Sequence, residues 1–289
     1  MTTARAFAKL TLSLRVLGRR EDGFHDLEGL VVSLGQPHDT LQVTGAAGDG
    51  VTLAVVTEAP DVPSGADNLA ARAAATLLEA AGSDAGVRIA LTKRIPAGAG
   101  LGGASADAAA ALVATRAALD LDIDDTTLDR LGATLGSDVP FCLRGGAAWM
   151  RGRGERIEPI DVPLGLPMLV AVPPFRCATE AVYAAWDDLG GPQARRTVPS
   201  PARVAGFLGE LANDLEPAAE QVEPRLVEFR ERLEEVVGRS ALLAGSGSAY
   251  VVPLDDPRTL PDAAAEVSER FGGEVIPAAT VSRGVKLSR

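Results

Sequence analysis

Cysteine, histidine and aromatic residues are scarce in this chain of 289 residues. It has two cysteines and two histidines, and aromatic side chains make up 4% of it. Two distant cysteines without a CxxC motif exclude the disulfide framework of small secreted domains, while a single Cys142–Cys177 bridge stays open. His25 and His38 have no Cys or His cluster around them, which argues against a zinc site. An aliphatic core of Ala, Val and Leu is therefore expected.

Basic residues are also in deficit, with 28 Lys and Arg against 39 Asp and Glu and a net charge of −11. A surface this acidic repels phosphate backbones and anionic lipids, so nucleic acid and membranes are not expected as partners. A nucleotide remains a candidate ligand, because backbone donors and a divalent cation can reverse the local field. No signal peptide and no apolar run of membrane-spanning length occur. The expectation is a soluble, cytoplasmic protein, monomeric or homodimeric, that binds small molecules.

Strand and helix patterns are mixed along the chain without regular alternation. Residues 8–16 alternate apolar and polar side chains, as half-buried strands do. Further strands are predicted at 27–34, 39–47, 50–58, 86–96, 167–174 and 284–288, paired strands around Gly145 and Gly146, and a strand–turn–strand unit at 241–254. Helices are predicted at 67–82, 105–121, 124–136, 178–190, in several pieces up to Val237, and at 261–273, with a loop or linker at 190–201. This order favours an α+β fold, with a domain boundary near 155–165.

A glycine-rich loop directly before a helix is the most informative segment. It reads PAGAGLGGASAD over residues 96–107. Glycines let a backbone adopt positive φ and approach a ligand closely. A helix start adds unpaired N–H groups and the positive end of the helix dipole, which together form an anion site. The loop therefore predicts phosphate binding, by Pro96, Gly98, Gly100, Leu101, Gly102, Gly103, Ala104 and Ser105.

Other interpretations of this loop fit less well. A plain flexible turn does not explain four glycines in so short a stretch. Gly98, Gly100 and Gly103 fit the dinucleotide fingerprint G-x-G-x-x-G, but Pro96 and the charged pair Lys93-Arg94 stand where an apolar strand should end. No Lys-Ser/Thr follows the glycines, so the loop is not a P-loop, and protein-kinase motifs are missing.

The segment PAGAGLGGASADAAA resembles the second motif of the GHMP small-molecule kinases. The stretches AKLTLSLRVLGRREDGFHDLEGL, TLGSDVPFCLRGGAAWMRGRGERIEPI, LANDLEPAA and LAGSGSAYVV resemble further family segments in the family's order. The resemblance spans nearly the whole chain and implies a two-domain architecture. Its first domain, 1–158, would be ribosomal protein S5 domain 2-like and bind ATP; its second, 159–289, would be ferredoxin-like.

The resemblance also implies an activity, the ATP- and Mg²⁺-dependent phosphorylation of a small alcohol. The acceptor it implies is the 2-hydroxyl of 4-diphosphocytidyl-2-C-methyl-D-erythritol, in the non-mevalonate isoprenoid pathway. Asp138 would take the hydroxyl proton, and Lys9 beside it would stabilise the carboxylate and the phosphoryl charge. Taken in isolation, Asp138 would be a turn residue and Lys9 a solvated edge-strand residue.

The remaining candidates divide between the two substrates. In the resembled enzymes Phe24 and His25 would contact the cytosine, with Tyr183 as a second stacking face; core Phe, surface His and core Tyr are the alternatives. Gly245 and Ser246 belong to a late glycine turn that would pack against the cleft, or form a plain hairpin turn. Asn68 and Lys93 stand where adenine contacts occur, and Asn68 could equally cap a helix.

One departure from the family pattern concerns the acceptor. The family commonly has Asn two residues after the lysine, and this chain has Thr11, whose hydroxyl is shorter than an amide. A kinase of the same type for another alcohol therefore stays open, as does a nucleotide-binding protein without transfer activity. Retention of both Lys9 and Asp138 argues against the latter.

Overall fold

The structure, a computed structural model, describes residues 1–48, 50–57, 62–191, 211–270 and 273–288. The strands are β1 (Thr2–Arg19), β2 (His25–Ala46), β3 (Val51–Val56), β4 (Gly86–Thr92), β5 (Ala147–Gly152), β6 (Arg156–Ile160), β7 (Pro167–Val172), β8 (Leu242–Leu243), β9 (Tyr250–Pro253), β10 (Glu274–Val281) and β11 (Val285–Ser288). The helices are α1 (Leu69–Ala80), α2 (Gly103–Leu119), α3 (Asp125–Leu135), α4 (Val139–Arg144), α5 (Thr179–Asp188), α6 (Glu216–Val222), α7 (Arg225–Val237) and α8 (Leu260–Arg270). This mixture confirms the predicted α+β class.

A long antiparallel ribbon of β1 and β2 organises the sheet. The strand order is β11-β1-β2-β10-β7-β9-β8, and β4 and β5 pair with separate parts of β2. Among the described strands, β3 and β4 form the one parallel pair of the sheet. The dinucleotide interpretation requires a doubly wound parallel sheet before the glycine loop, and the sheet here is mostly antiparallel.

Helix α2 lies in the core, directly behind the glycine loop. It is apolar on nearly all sides, as buried helices are. Ala108, Ala109, Ala110 and Ala111 are completely buried. Alanine side chains let the helix approach β1 and α1 closely while keeping strong helix propensity. The first turn of α2 is thus held rigidly at the end of the loop, where a phosphate site needs it.

Three details of the predicted elements were wrong. A strand pair was predicted around Gly145 and Gly146, but the residues before Gly145 form the short helix α4, with Pro140 in its first turn. The strand pair in this region is β5 with β6, and its turn follows Gly152. The two strands predicted at 27–34 and 39–47 are one bent strand, irregular near Pro37. Strand β10 was missed because Pro277 interrupts its pattern; Pro277 lies in the part of β10 that pairs with β7 and not with β2.

The two cysteines are free and buried, which answers the question of a bridge between them. Burial raises the pKa of the Cys142 thiol well above its usual range, so this thiol is unreactive at neutral pH. The predicted linker at 190–201 lies outside the described residues from position 192 onward. Within the described ranges, no helix combines the length and apolar character that crossing a membrane requires.

Candidate active site

A cleft of about 630 Å³ gathers residues from distant parts of the chain. The glycine loop and the start of α2 form one side, and the start of β2 with helix α5 forms the other. The predicted site residues that line it are Lys9, Thr11, Phe24, His25, Gly100, Gly102, Ser105, Asp138, Tyr183, Gly245 and Ser246. All of the predicted proton-transfer and acceptor groups, and three of the eight predicted phosphate-loop residues, therefore share one cavity.

Lys9 and Asp138 form an ion pair in the cleft. The Lys9 Nζ atom lies 3.2 Å from the Asp138 Oδ2 atom, and the side chains are 10% and 31% exposed. The lysine is buried in β1 against β2, so it is not a solvated edge-strand residue. Asp138 occupies the N-cap position of α4, but its side chain makes no capping hydrogen bond. Its carboxylate is consequently free to face the lysine and the cleft.

Thr11 lies two residues after Lys9, on the same face of β1. The Lys9 Nζ donates a hydrogen bond of 3.3 Å to the Thr11 Oγ1, and Thr11 is 2% exposed. The hydroxyl therefore helps to hold the ammonium group in place. Thr11 also lines the cleft, so its hydroxyl group can still donate a hydrogen bond to a bound molecule.

The glycine loop presents its backbone to the cleft through left-handed residues. Gly98, Gly100 and Gly102 have φ values of 72°, 79° and 67°. The N-cap of α2 is Gly102, and no side chain caps the helix there. The N–H groups of the first turn thus have no intrahelical acceptor and no side-chain cap, which suits an anion. The Ser105 hydroxyl lies in the same turn and lines the cleft.

Close backbone packing joins this loop to the late glycine turn. A Cβ atom on Gly100 would lie 2.0 Å from the carbonyl oxygen of Ala244, so only glycine fits there. The Ala249 N–H donates to the Ala99 carbonyl over 3.3 Å, and the Lys9 N–H donates to the Leu101 carbonyl over 3.0 Å. The loop, β1 and the late turn are therefore held against one another by backbone contacts.

Asn213 holds the late turn from behind. Its buried amide Nδ2 donates to the carbonyls of Leu243 and Gly245, over 2.9 and 2.6 Å. Its Oδ1 accepts from the Leu215 N–H over 2.9 Å. One amide thus satisfies three backbone groups in the segment that carries Gly245 and Ser246.

Replacing Asn213 with Ala is expected to destabilise the fold by about 2–4 kcal/mol, because three backbone groups lose their partner. Thermal or denaturant unfolding measures this loss. Gln221→Ala removes an exposed amide side chain from α6 and serves as the control, with little change expected. Equal stability of the two variants would contradict the role given to Asn213.

Lys93 lies in a buried charged cluster behind the loop. Its ammonium contacts Asp39 and lies 2.6 Å from Asp107 Oδ2, and the three side chains are 7%, 0% and 4% exposed. Asp39 also accepts from the N–H groups of Arg94 and Ile95. Burial lowers the pKa of Lys93, but the charges of the two carboxylates outweigh this effect, and the pKa is raised overall. Burial and the Asp39 charge raise the pKa of Asp107 well above its usual range.

Replacing Lys93 with Met is expected to destabilise the protein by roughly 3–5 kcal/mol at pH 7, because two buried carboxylates lose their cation. A carboxyl whose folded pKa is raised binds its proton more tightly when folded, so its contribution to stability falls as pH rises from its unfolded pKa. The loss should therefore be smaller near pH 4 than at pH 7. Urea unfolding at both pH values measures it, with the exposed Lys286→Met as control. A pH-independent loss would contradict this account.

Other predicted nucleotide-side residues lie outside the cleft lining. Asn68 caps α1, accepting from the Ala70 N–H over 2.9 Å, and its Nδ2 donates to the Pro63 carbonyl over 2.7 Å. Helix capping was the alternative considered for it, and an adenine contact stays a prediction for both Asn68 and Lys93. The loop residues away from the lining are Pro96, Gly98, Leu101, Gly103 and Ala104.

The far end of the cleft is aromatic. The His25 ring stacks on Tyr183 at 4.8 Å and lies perpendicular to Trp186 at 5.5 Å. Its Nε2 lies 2.8 Å from the Asp187 Oδ1. Burial raises the pKa of Tyr183 to about 12, so the phenol stays protonated at neutral pH. Phe24 is 54% exposed, with the Arg153 guanidinium 4.8 Å above its ring.

Several cleft residues were not found from the sequence. Asp187 and Thr179 lie on α5, and Arg153 lies in the turn after β5. The Thr179 hydroxyl lies 2.9 Å from that of Ser246. Charged residues in a helix or a turn carry no pattern of their own, so the sequence offers no signal for them. Asn213 was quoted within LANDLEPAA, but nothing local marks it as the support of a turn.

Comparison with known proteins places this geometry in a family. A model of the GHMP kinases N terminal domain matches residues 68–146. The 4-diphosphocytidyl-2-C-methyl-D-erythritol kinase of Pelotomaculum thermopropionicum is 43% identical, with 85% of this chain and 86% of that protein covered. The protein of the same name from Moorella thermoacetica is 37% identical, with 95% and 97% covered.

Solved structures agree in fold. A crystal structure of 4-(cytidine 5'-diphospho)-2C-methyl-D-erythritol kinase matches with a TM-score of 0.79 and 36% identity, covering 96% of this chain and 99% of that one. A homoserine kinase from Cytophaga hutchinsonii, at 20% identity and a TM-score of 0.73, shares the fold over 99% of this chain and 97% of its own. The chain therefore belongs to the GHMP kinase family and, within it, groups with the proteins named 4-diphosphocytidyl-2-C-methyl-D-erythritol kinase.

Proposed function

We propose that this protein transfers the γ-phosphoryl group of ATP to the 2-hydroxyl of 4-diphosphocytidyl-2-C-methyl-D-erythritol, a step of isoprenoid biosynthesis. The observation that carries the proposal is the Lys9–Asp138 pair, 3.2 Å apart, in one cleft that the glycine loop and aromatic side chains also line. A phosphate site, a base with a cation beside it, and a place for a nucleobase are the three parts that this reaction needs. The names of the relatives supply the acceptor.

Asp138 accepts the proton of the acceptor hydroxyl as its oxygen forms the new bond to the γ-phosphorus. The bond between that phosphorus and the bridging oxygen breaks, and ADP leaves. Lys9 pairs with the carboxylate and offsets charge on the equatorial oxygens. The pair lies on a rigid strand and a helix start, so the base is held in position before the acceptor arrives.

ATP phosphates bind at the glycine loop in this proposal. The backbone N–H groups at the start of α2 and the Ser105 hydroxyl contact them. The packing of Gly100 on Ala244 supports the same arrangement, because it holds the loop close to the late turn without a side chain in between. The proposal also includes adenine contacts by Asn68 and Lys93, although neither residue lines the cleft.

Mg²⁺ fits the site as an ion carried by the nucleotide. Among the described residues, no group of three or more His, Cys, Asp or Glu side chains could hold a metal ion by itself. With nucleotides, Mg²⁺ is usually bound by one or two protein groups together with phosphate oxygens. Ser105, which lines the cleft in the first turn of α2, is the residue that would hold it. Bound there, the ion would neutralise phosphate charge.

Two broader points belong to the same proposal. A division into domains 1–158 and 159–289 is supported by the narrow join between β10 and β2, which pair at two positions only. Strand β11 nevertheless pairs with β1, so the second segment also contacts the first at this strand.

A cytoplasmic location fits a metabolic kinase that uses ATP.

The test is ADP release from Mg-ATP, with 4-diphosphocytidyl-2-C-methyl-D-erythritol compared against no acceptor and a panel of small alcohols. Strong release with the cytidyl acceptor, and mass-spectrometric detection of its phosphorylated product, would support the proposal. Release with another alcohol alone would make Thr11 the first place to look for altered acceptor choice. ATP binding without release in any arm would overturn transfer activity.

A further inference from the structure

The aromatic end of the cleft contains a histidine whose hydrogen-bonding state is set by a neighbouring carboxylate. His25 Nε2 lies 2.8 Å from Asp187 Oδ1, and Asp187 comes from α5, far away in sequence. A carboxylate only accepts hydrogen bonds, so the imidazole nitrogen facing it carries the hydrogen. In the neutral ring, the other nitrogen, Nδ1, is then an acceptor.

Packing leaves this arrangement little freedom. Tyr183 stacks on one face of the ring, Trp186 packs perpendicular to it, and the His25 side chain is 9% exposed. A ring flip would take Nε2 away from Asp187. Within the part of the chain that is described, Nδ1 has no hydrogen-bond partner and is not sealed off from solvent. One acceptor is therefore left for a molecule in the cleft.

We propose that Asp187 is a positioning residue that makes His25 Nδ1 a hydrogen-bond acceptor and thereby selects cytosine over uracil in the acceptor. The proposal rests on the proposed function, in which a cytidyl group occupies this end of the cleft. Cytosine carries an exocyclic amino group, which donates, where uracil carries a carbonyl oxygen, which only accepts. A fixed acceptor pairs with the first and repels the second. The carboxylate of Asp187 thus acts on the choice of pyrimidine through His25.

The Arg19–Asp187 contact does not replace this role. The Arg19 Nη1 lies 3.6 Å from Asp187 Oδ2, and the Arg19 side chain is 64% exposed. Exposed ion pairs of this kind fix little geometry. The His25 contact is shorter, uses the other carboxylate oxygen and lies among packed aromatic rings.

Nitrogen-15 NMR of the labelled protein tests the hydrogen position directly. The chain has two histidines, and the other one offers an internal reference. His38 Nδ1 lies 3.2 Å from the Gly35 carbonyl, which only accepts, so His38 should carry its hydrogen on Nδ1. We expect the opposite form for His25, with Nε2 protonated and Nδ1 bare, and its loss in Asp187→Ala. Equal forms for the two rings in the wild-type chain would overturn the proposal.

Binding of CMP and UMP tests the selectivity. The wild-type protein should bind CMP at least about 10-fold more tightly than UMP, because UMP places an acceptor against an acceptor. Asp187→Ala should reduce this preference to within about threefold, mainly through weaker CMP binding. With the full cytidyl acceptor, KM should rise while kcat changes little, since the base lies away from the reacting hydroxyl. Asp188→Ala, an exposed carboxylate on the same helix, is the matched control and should keep the preference.

Failure of the two proposals can be told apart. A wild-type chain that releases ADP with the cytidyl acceptor, combined with an unchanged CMP preference in Asp187→Ala, overturns the positioning role alone. Absence of acceptor-dependent ADP release in the wild-type chain overturns the proposed function, whatever the NMR shows. Thermal unfolding of Asp187→Ala close to that of Asp188→Ala excludes loss of fold as the reason for a changed preference.

Discussion

Replacing Asp138 with Asn is expected to lower kcat by about 10²- to 10⁴-fold, the usual contribution of a positioned general base. The amide cannot take the hydroxyl proton, and the buried Lys9 loses its counter-charge at the same time. Nucleotide affinity should change little, since the phosphate contacts come from the glycine loop. Acceptor-dependent ADP release gives kcat, and a fluorescent ATP analogue gives binding.

Asp122→Asn is the control for this variant, because Asp122 is exposed in the connection after α2. Lys9→Met should also reduce kcat, and the double variant should be far less impaired than the product of the two single effects, since the residues act as a unit. Retention of most activity in Asp138→Asn would remove the proton-acceptor role. Full additivity would mean that the lysine and the aspartate act separately.

Gly102→Ala should impair turnover by about 10²-fold, because an added methyl group displaces the amine that supports the reaction. A Cβ atom there would lie 2.5 Å from Lys9 Cγ, and the residue has a φ of 67°. The lysine side chain can move aside, but only by moving its Nζ relative to Asp138. The expected signature is a reduced kcat, measured by ADP release, in a protein that still folds.

Gly82→Ala isolates the backbone cost of this change. Gly82 has a φ of 58° after α1, and nothing lies within 4 Å of an added Cβ. In both variants the alanine must adopt a left-handed backbone conformation, which destabilises the fold by about 1–2 kcal/mol. Only Gly102→Ala crowds the lysine. Wild-type kcat in both would show that Lys9 adapts freely and is not held by the loop.

Local patterns in the sequence predicted the helices and most strands, because periodicity and capping residues are local signals. Helix α4 was missed since six residues are too few for a period, and β10 because Pro277 breaks the strand pattern. The glycine loop was found from its own residues. The Lys9–Asp138 pair came from the family resemblance, since nothing local connects two residues so far apart.

Supports of the site were the least predictable part. Asn213 and Asp187 act through contacts made by distant segments, so in the sequence they resemble ordinary polar residues beside or within a helix. Lys93 shows the opposite case. The family resemblance predicts a nucleotide contact for it, and the structure places its ammonium against two buried carboxylates, in a cluster that anchors the residues leading into the loop.

The pairing of β11 with β1 has a consequence for how the chain folds as it is made. Thr3 lies opposite Ser288 and Ala6 opposite Val285, so the strand that bears Lys9 has an outer neighbour that is synthesised about 280 residues later. Until then, the nascent protein carries an unpaired strand edge at residues 3–6. Open edges invite pairing with other chains. We therefore expect ribosome-bound intermediates of this protein to depend on chaperones until β11 has emerged.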